Sequence, residues 1–161
     1  MQKRGLAIVA LVCMSSPTLA ADPSGDWLVA ERTAVIRIET CGDAMCGTIA
    51  WTRDPGIDDK NPDPTKRNRP IVGVTILLGM KPTGEHRWNG DVYNPENGKT
   101  YVSHMILMDT NVLRIEGCVL GGLICGGEHW ARARCETPDK RIVGSGKSTP
   151  KGAISCRVEG P

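Results

Sequence analysis

A chain of 161 residues with 20 basic and 18 acidic side chains carries a formal charge of only +2, which excludes the electrostatic footprint of a nucleic-acid binder or an anionic-membrane binder. Four Trp, two Tyr and no Phe supply the aromatic bulk, and the length suits one domain with a real core. Seven cysteines in a chain of this size point to an oxidising compartment rather than the cytosol.

Residues 1–20 have the form of a secretory signal peptide. Lys3 and Arg4 make a basic n-region, Leu6 to Met14 is a nearly continuous apolar run, and Pro17-Thr18-Leu19-Ala20 ends on a small residue. The run is too short to cross a hydrocarbon core of about 30 Å as a helix, so no membrane span is expected. Cleavage is placed after Ala20, with Ala21 as the neighbouring alternative, and the mature chain is expected in the periplasm or secreted. Subtracting Lys3 and Arg4 leaves 18 basic and 18 acidic residues, so the mature protein is neutral.

The mature chain is a series of short strands and turns. Gly25 to Val29 opens it. In Ala34 to Thr40, Ile36 and Ile38 alternate with Arg37 and Glu39, the pattern of a strand with one face on a core and one in water. Cys41 to Cys46 turns the chain, and Gly47 to Thr52 returns with Ile49 and Trp51 assigned to one face. Asp54 to Pro70 breaks the period with four prolines (Pro55, Pro62, Pro64 and Pro70) and dense charge, so a long ordered loop is predicted. Val72 to Met80 is apolar on both sides, and Lys81-Pro82-Thr83-Gly84 is expected to turn.

His86 to Leu107 forms the central hairpin. Trp88, Val92, Val102 and Ile106 recur at even spacing around Asn94-Pro95-Glu96-Asn97-Gly98, a hairpin signal in which both Asn and Gly tolerate positive φ. Val112 to Val119 then places Leu113 and Ile115 inward. Gly121-Gly122 and Gly126-Gly127 frame a tip, and Glu128 to Arg134 is the last clear strand. About eight short antiparallel strands and no amphipathic helix suggest a sandwich or an up-and-down barrel. Closure removes exposed edges, so the fold class predicted is all-β, a single antiparallel up-and-down barrel over 21–135, with a C-terminal tail or hairpin over 136–161.

With Cys13 in the leader, six cysteines remain, and sequence alone allows 15 pairings. Proximity favours Cys41 with Cys46, Cys118 with Cys125, and Cys135 with Cys156. On the loop-entropy account the first two contribute about 2 kcal/mol each and the third about 3. Neither short spacing is Cys-x-x-Cys, so a structural zinc site is not expected.

Two resemblances follow from these blocks. Gly25-Asp26-Trp27 resembles the G-x-W signature of lipocalins. The resemblance implies that Trp27 closes one end of a barrel and that a basic residue of the last strand, Arg132 or Arg134, packs over the ring. The ordered succession GDW, IRIETCGDAMCGTIAW, NPDPTKRNRPIVG, WNGDVYNPENGKTY and HWAR resembles the bacterial exported domain-of-unknown-function family 2147. That resemblance covers the mature chain to Arg132 and implies a lipocalin-like barrel outside the cytoplasm that holds a small, apolar molecule. It assigns no catalytic residues. The cysteines at 118, 125, 135 and 156 depart from the family pattern, and a staple there would reshape one mouth of the barrel.

Candidate ligand-binding residues follow from chemistry. Trp51, Trp88 and Tyr101 supply apolar lining of the kind small-molecule pockets need, set against plain core packing of large rings. Arg67 and Arg69 offer guanidinium forks to an anionic head group, set against neutralisation by Asp58, Asp59 and Asp63 within an ordered lid. His104 alternates with Val102 and Ile106 and is placed inward with them. No His pair has metal-ligand spacing and no nucleophile sits in a catalytic motif, so no metal, cofactor or enzymatic activity is expected. Two functions remain: a barrel that binds or carries a small hydrophobic or amphipathic molecule, or an envelope interaction protein presenting residues 54–70 to a protein or glycan. A barrel filled by Trp51, Trp88, Tyr101 and Ile106 would favour the second.

Overall fold

The structure, a computed structural model, describes residues 22–136 and 155–158. The predicted leader over 1–20 and most of the predicted tail lie outside the described residues. The strands are β1 (Gly25–Leu28), β2 (Ala34–Cys41), β3 (Ala44–Thr52), β4 (Thr75–Gly84), β5 (Arg87–Asn94), β6 (Lys99–Asp109), β7 (Val112–Val119), β8 (Ile124–Glu136) and β9 (Ser155–Val158). Each pairs antiparallel with the next, and β1 pairs β8 through Asp26–Ala133, Trp27–Arg132 and Leu28–Ala131. That pairing closes eight strands into the predicted barrel, and β9 adds to the C-terminal end of β8.

Up-and-down connectivity sorts the loops onto two ends. The β1–β2, β3–β4, β5–β6 and β7–β8 connections share one end, and the remaining hairpin turns share the other. The core fills from the second end: Trp27, Ile38, Leu77, Met80, Met105 and Leu113 are all fully buried. Each large ring or aliphatic chain removed from water stabilises by about 1.5–3 kcal/mol, so this plug is the main anchor of the fold.

Cys41–Cys46 and Cys118–Cys125 form as predicted. The first staples the β2–β3 hairpin at the plugged end, and the second joins cross-strand neighbours of β7 and β8 near the opposite end. The backbone register sets Cys135 opposite Cys156. Their side chains lie outside the described set.

Several expectations are corrected. β6 has the opposite facing: Ser103, Met105 and Leu107 are buried, while Val102 is exposed and His104 and Ile106 are only half-buried, on the outer wall. Both faces of this strand are apolar, so alternation alone gave no sign of which points inward. Trp51 does not share the inward face with Ile49. A register shift pairs Val35 with Trp51 but Ile36 with Ile49, and the extra residue, Ala50, rotates the strand end. Trp51 therefore packs on an outer cluster with Leu28, Val35, Ala133 and Val158. Residues 81–84 continue β4 instead of turning. In the β5–β6 turn only Gly98 has positive φ, 69°, so the connection is a four-residue loop closed by the Gly98 N–H to the Asn94 carbonyl at 2.8 Å.

Candidate functional site

The plugged end explains the G-x-W block. Trp27 is fully buried and donates its indole N–H to the Pro23 carbonyl at 2.8 Å. The Arg132 guanidinium lies 4.2 Å over the ring centroid, so of the two arginines predicted for this place Arg132 holds it. It also donates to the carbonyls of Thr110 and Ser24, both at 2.6 Å, tying the β6–β7 turn and the first described residues to one cation. Gly25 has φ 123°, and a Cβ there would press on the guanidinium at 3.0 Å, so glycine is needed beside this stack. Arg134 follows on β8, two residues beyond the stacked arginine.

The opposite end is hollow. The registers line up Gly90, Ser103, Gly117 and Gly126 across β5 to β8, one step towards this end from Trp88, Met105, Ile115 and Glu128. Of this row Gly90 lies against the Leu78 and Gly79 carbonyls and Ser103 donates to the Glu116 carbonyl, whereas Gly117 and Gly126 border the space where the plug would otherwise continue. A cavity of about 1060 Å³ occupies it, with Ile36, Ile49, Ile76 and Ile115 in its apolar lining and Tyr101 and Trp130 among its rings. Its polar lining includes four carboxylates, Glu31, Asp54, Glu96 and Glu128. No Lys or Arg lines it among the described residues.

Glu128 is half-buried on the inner face of β8 and accepts a hydrogen bond from the Trp130 indole N–H. Burial, opposed by that hydrogen bond and reinforced by the facing Glu31 carboxylate, holds its carboxyl above the ordinary glutamate range. Sequence reading missed Glu128 as a lining residue. The signal was present, because Glu128 stands two residues from Trp130 and shares its face in a strand.

Beside the cavity, residues 54–70 fold into an ordered lid. Ile57 bridges Pro70, Asp63 caps a short 3-10 turn over Pro64–Lys66, and the Ile71 N–H donates to the Gly56 carbonyl. Its anchor is Asp58, fully buried, which accepts from the Tyr93 hydroxyl at 2.6 Å, Asn61 Nδ2 at 2.7 Å and Arg69 Nη2 at 2.7 Å. Burial opposes ionisation, but these donors together hold the Asp58 carboxyl below its usual range. Tyr93 is pushed up, first by burial and then by Asp58.

The predicted ligand residues therefore separate. Tyr101 lines the cavity. Trp88 is buried in the plug, and Trp51 packs on the outer cluster. Arg69 is the counter-ion of Asp58, and Arg67 donates Nε to the Asn61 carbonyl, so both hold the lid together. His104 sits on the outer wall with Nδ1 2.8 Å from Asn89 Oδ1. Its ring lies near Cys118 and Cys125, the three ligand atoms within 4.8 Å of one another, but the sulfurs are joined as a disulfide and offer no thiolates. Among the described residues no helix is long and apolar enough to cross a membrane.

A closed eight-stranded antiparallel barrel, plugged at one end by a Trp–Arg stack and hollow at the other, is a lipocalin-like calyx. The chain belongs to the bacterial family described as "Uncharacterized protein conserved in bacteria (DUF2147)", whose model matches residues 25–132. Among solved structures it is similar to protein HP1028 from the human pathogen Helicobacter pylori, described as belonging to the lipocalin family. The TM-score is 0.63 at 19% identity, over 70% of this chain and 83% of that one, which establishes a shared fold. No curated protein matches.

Proposed function

We propose that this chain is a non-catalytic exported protein that binds or carries one small hydrophobic or amphipathic molecule in the open half of its barrel. The observation that carries the reading is the cavity of about 1060 Å³, at the upper end of the roughly 300–1,000 Å³ of small-molecule sites. Its lining mixes aliphatic side chains with a few polar groups. Of the four predicted filling residues only Tyr101 reaches the cavity, as part of its wall; Trp51 and Ile106 face outward and Trp88 belongs to the plug. The lid arginines are engaged by Asp58 and Asn61, which favours the interior over residues 54–70 as the binding element. Two disulfides fit an extracytoplasmic home, and the proposed route is cleavage after Ala20 or Ala21 with Cys135–Cys156 as a third bridge.

The test is native mass spectrometry on protein exported to the periplasm and purified without detergent, beside the same sample denatured but not reduced. A small-molecule mass present only in the native spectrum is the expected result. A bare chain in both, with no mass gained on incubation with a lipid extract, would overturn the carrier reading.

A further inference from the structure

The cavity is one-sided in charge as well as in shape. Three carboxylates, Glu31, Asp54 and Glu96, come from the β1–β2, β3–β4 and β5–β6 connections and stand exposed around the mouth. The fourth, Glu128, lies deeper and faces Glu31. Among the described residues none of the four is in an ion pair with a Lys or Arg. Elsewhere among the described residues Asp26, Asp43, Asp58, Asp59, Asp63 and Glu116 have such partners, whereas exposed carboxylates such as Asp91 and Asp109 do not. What sets the cavity apart is four carboxylates gathered around one space with no Lys or Arg among them. Burial first, and the facing Glu31 carboxyl second, make Glu128 hold its proton more tightly than a free glutamate.

Beneath these groups the wall is aliphatic, with Ile36, Ile49, Ile76 and Ile115. A hydrated metal ion gains nothing from such a floor, whereas an alkyl chain does. At the rim the β7–β8 tip adds Leu120, Leu123 and Ile124, which are 70%, 85% and 59% exposed, beside the lining residue Val119. The tip thus offers an apolar approach to an acidic mouth over an apolar floor.

Resting on the carrier reading, we infer that the cavity selects an amphiphilic organic cation, its alkyl part on the aliphatic floor and its ammonium between Glu31 and Glu128. The charge of the mouth also concentrates cations there and repels fatty carboxylates.

The experiment is calorimetric titration of the mature protein with three ligands of matched chain, decyltrimethylammonium, decanol and decanoate, at neutral pH and physiological ionic strength. The expected order is the ammonium tightest, by about tenfold over decanol, with decanoate weakest. In Glu31→Gln/Glu128→Gln the preference for the ammonium over decanol should disappear, the two binding about equally. Decanol or decanoate binding wild type as tightly as the ammonium would overturn the cation assignment and leave the cavity reading standing. Failure of all three to bind would overturn both.

Discussion

Asp58 shows how one side chain converts a proline-rich connection into a fixed lid. A carboxylate with no exposed surface keeps its charge because a phenol, an amide and a guanidinium all donate to it. Removing it leaves Tyr93 and Arg69 without their acceptor. Asp58→Ala should cost about 2–3 kcal/mol, below the full value of a buried pair because Arg69 is partly solvated. A urea titration checks this as a lower midpoint. The pH dependence follows from the lowered carboxyl. Its contribution to stability is complete above the unfolded carboxyl pKa of about 4 and is lost as pH falls through the lower folded value. Wild type should therefore destabilise more steeply than Asp58→Ala as pH falls below about 4, so that the two stability curves converge in acid. Parallel curves would show that Asp58 does not hold the lid by charge.

At the scale of elements, the β5–β6 turn and the lid are interlocked through Gly98. Its φ of 69° suits glycine, and a Cβ would collide with the Lys60 carbonyl oxygen. Gly98→Ala should cost at least about 1 kcal/mol from the backbone alone, with further loss as the lid lifts. Hydrogen exchange should then speed at the backbone amides of Asp58, Asn61 and Arg69 while β6 to β8 stay protected. Unchanged exchange in the lid would contradict the interlock.

This is also the scale at which the sequence was most and least informative. Turn chemistry at 41–46 and 94–98 and two-residue periodicity in β2 and β7 made the hairpins legible, because those signals are local. The facing of β6 was not legible, since Val102 and Ile106 compete with Met105 and Leu107 for the inside. The departure of Trp51 was hidden because its cause is an extra residue against the neighbouring strand. Contacts such as Tyr93 to Asp58, 35 residues apart, depend on how the closed barrel folds the lid back. The cavity was illegible for the same reason: Gly117 and Gly126 come side by side in its wall only once β7 and β8 are in register.

For the whole molecule, the two ends divide the work. The plugged end carries the dense core, the Trp27–Arg132 stack and one disulfide, and it anchors the strands. The other end can then forgo side-chain packing and remain open, with the second disulfide holding β7 to β8 at its rim. The central claim is that this open half takes a ligand. Gly117 gives the most direct test, because a Cβ there would make only ordinary contacts, 3.6 Å to Val92 and 3.9 Å to Tyr101, and a larger side chain would extend into the cavity. The measurement is fluorescence titration with the apolar probe N-phenyl-1-naphthylamine on wild type and Gly117→Phe, with thermal unfolding of both. The account predicts saturable binding by wild type, its loss in Gly117→Phe, and melting temperatures within a few degrees of each other. Equal binding by the two proteins would place the probe elsewhere and contradict the claim.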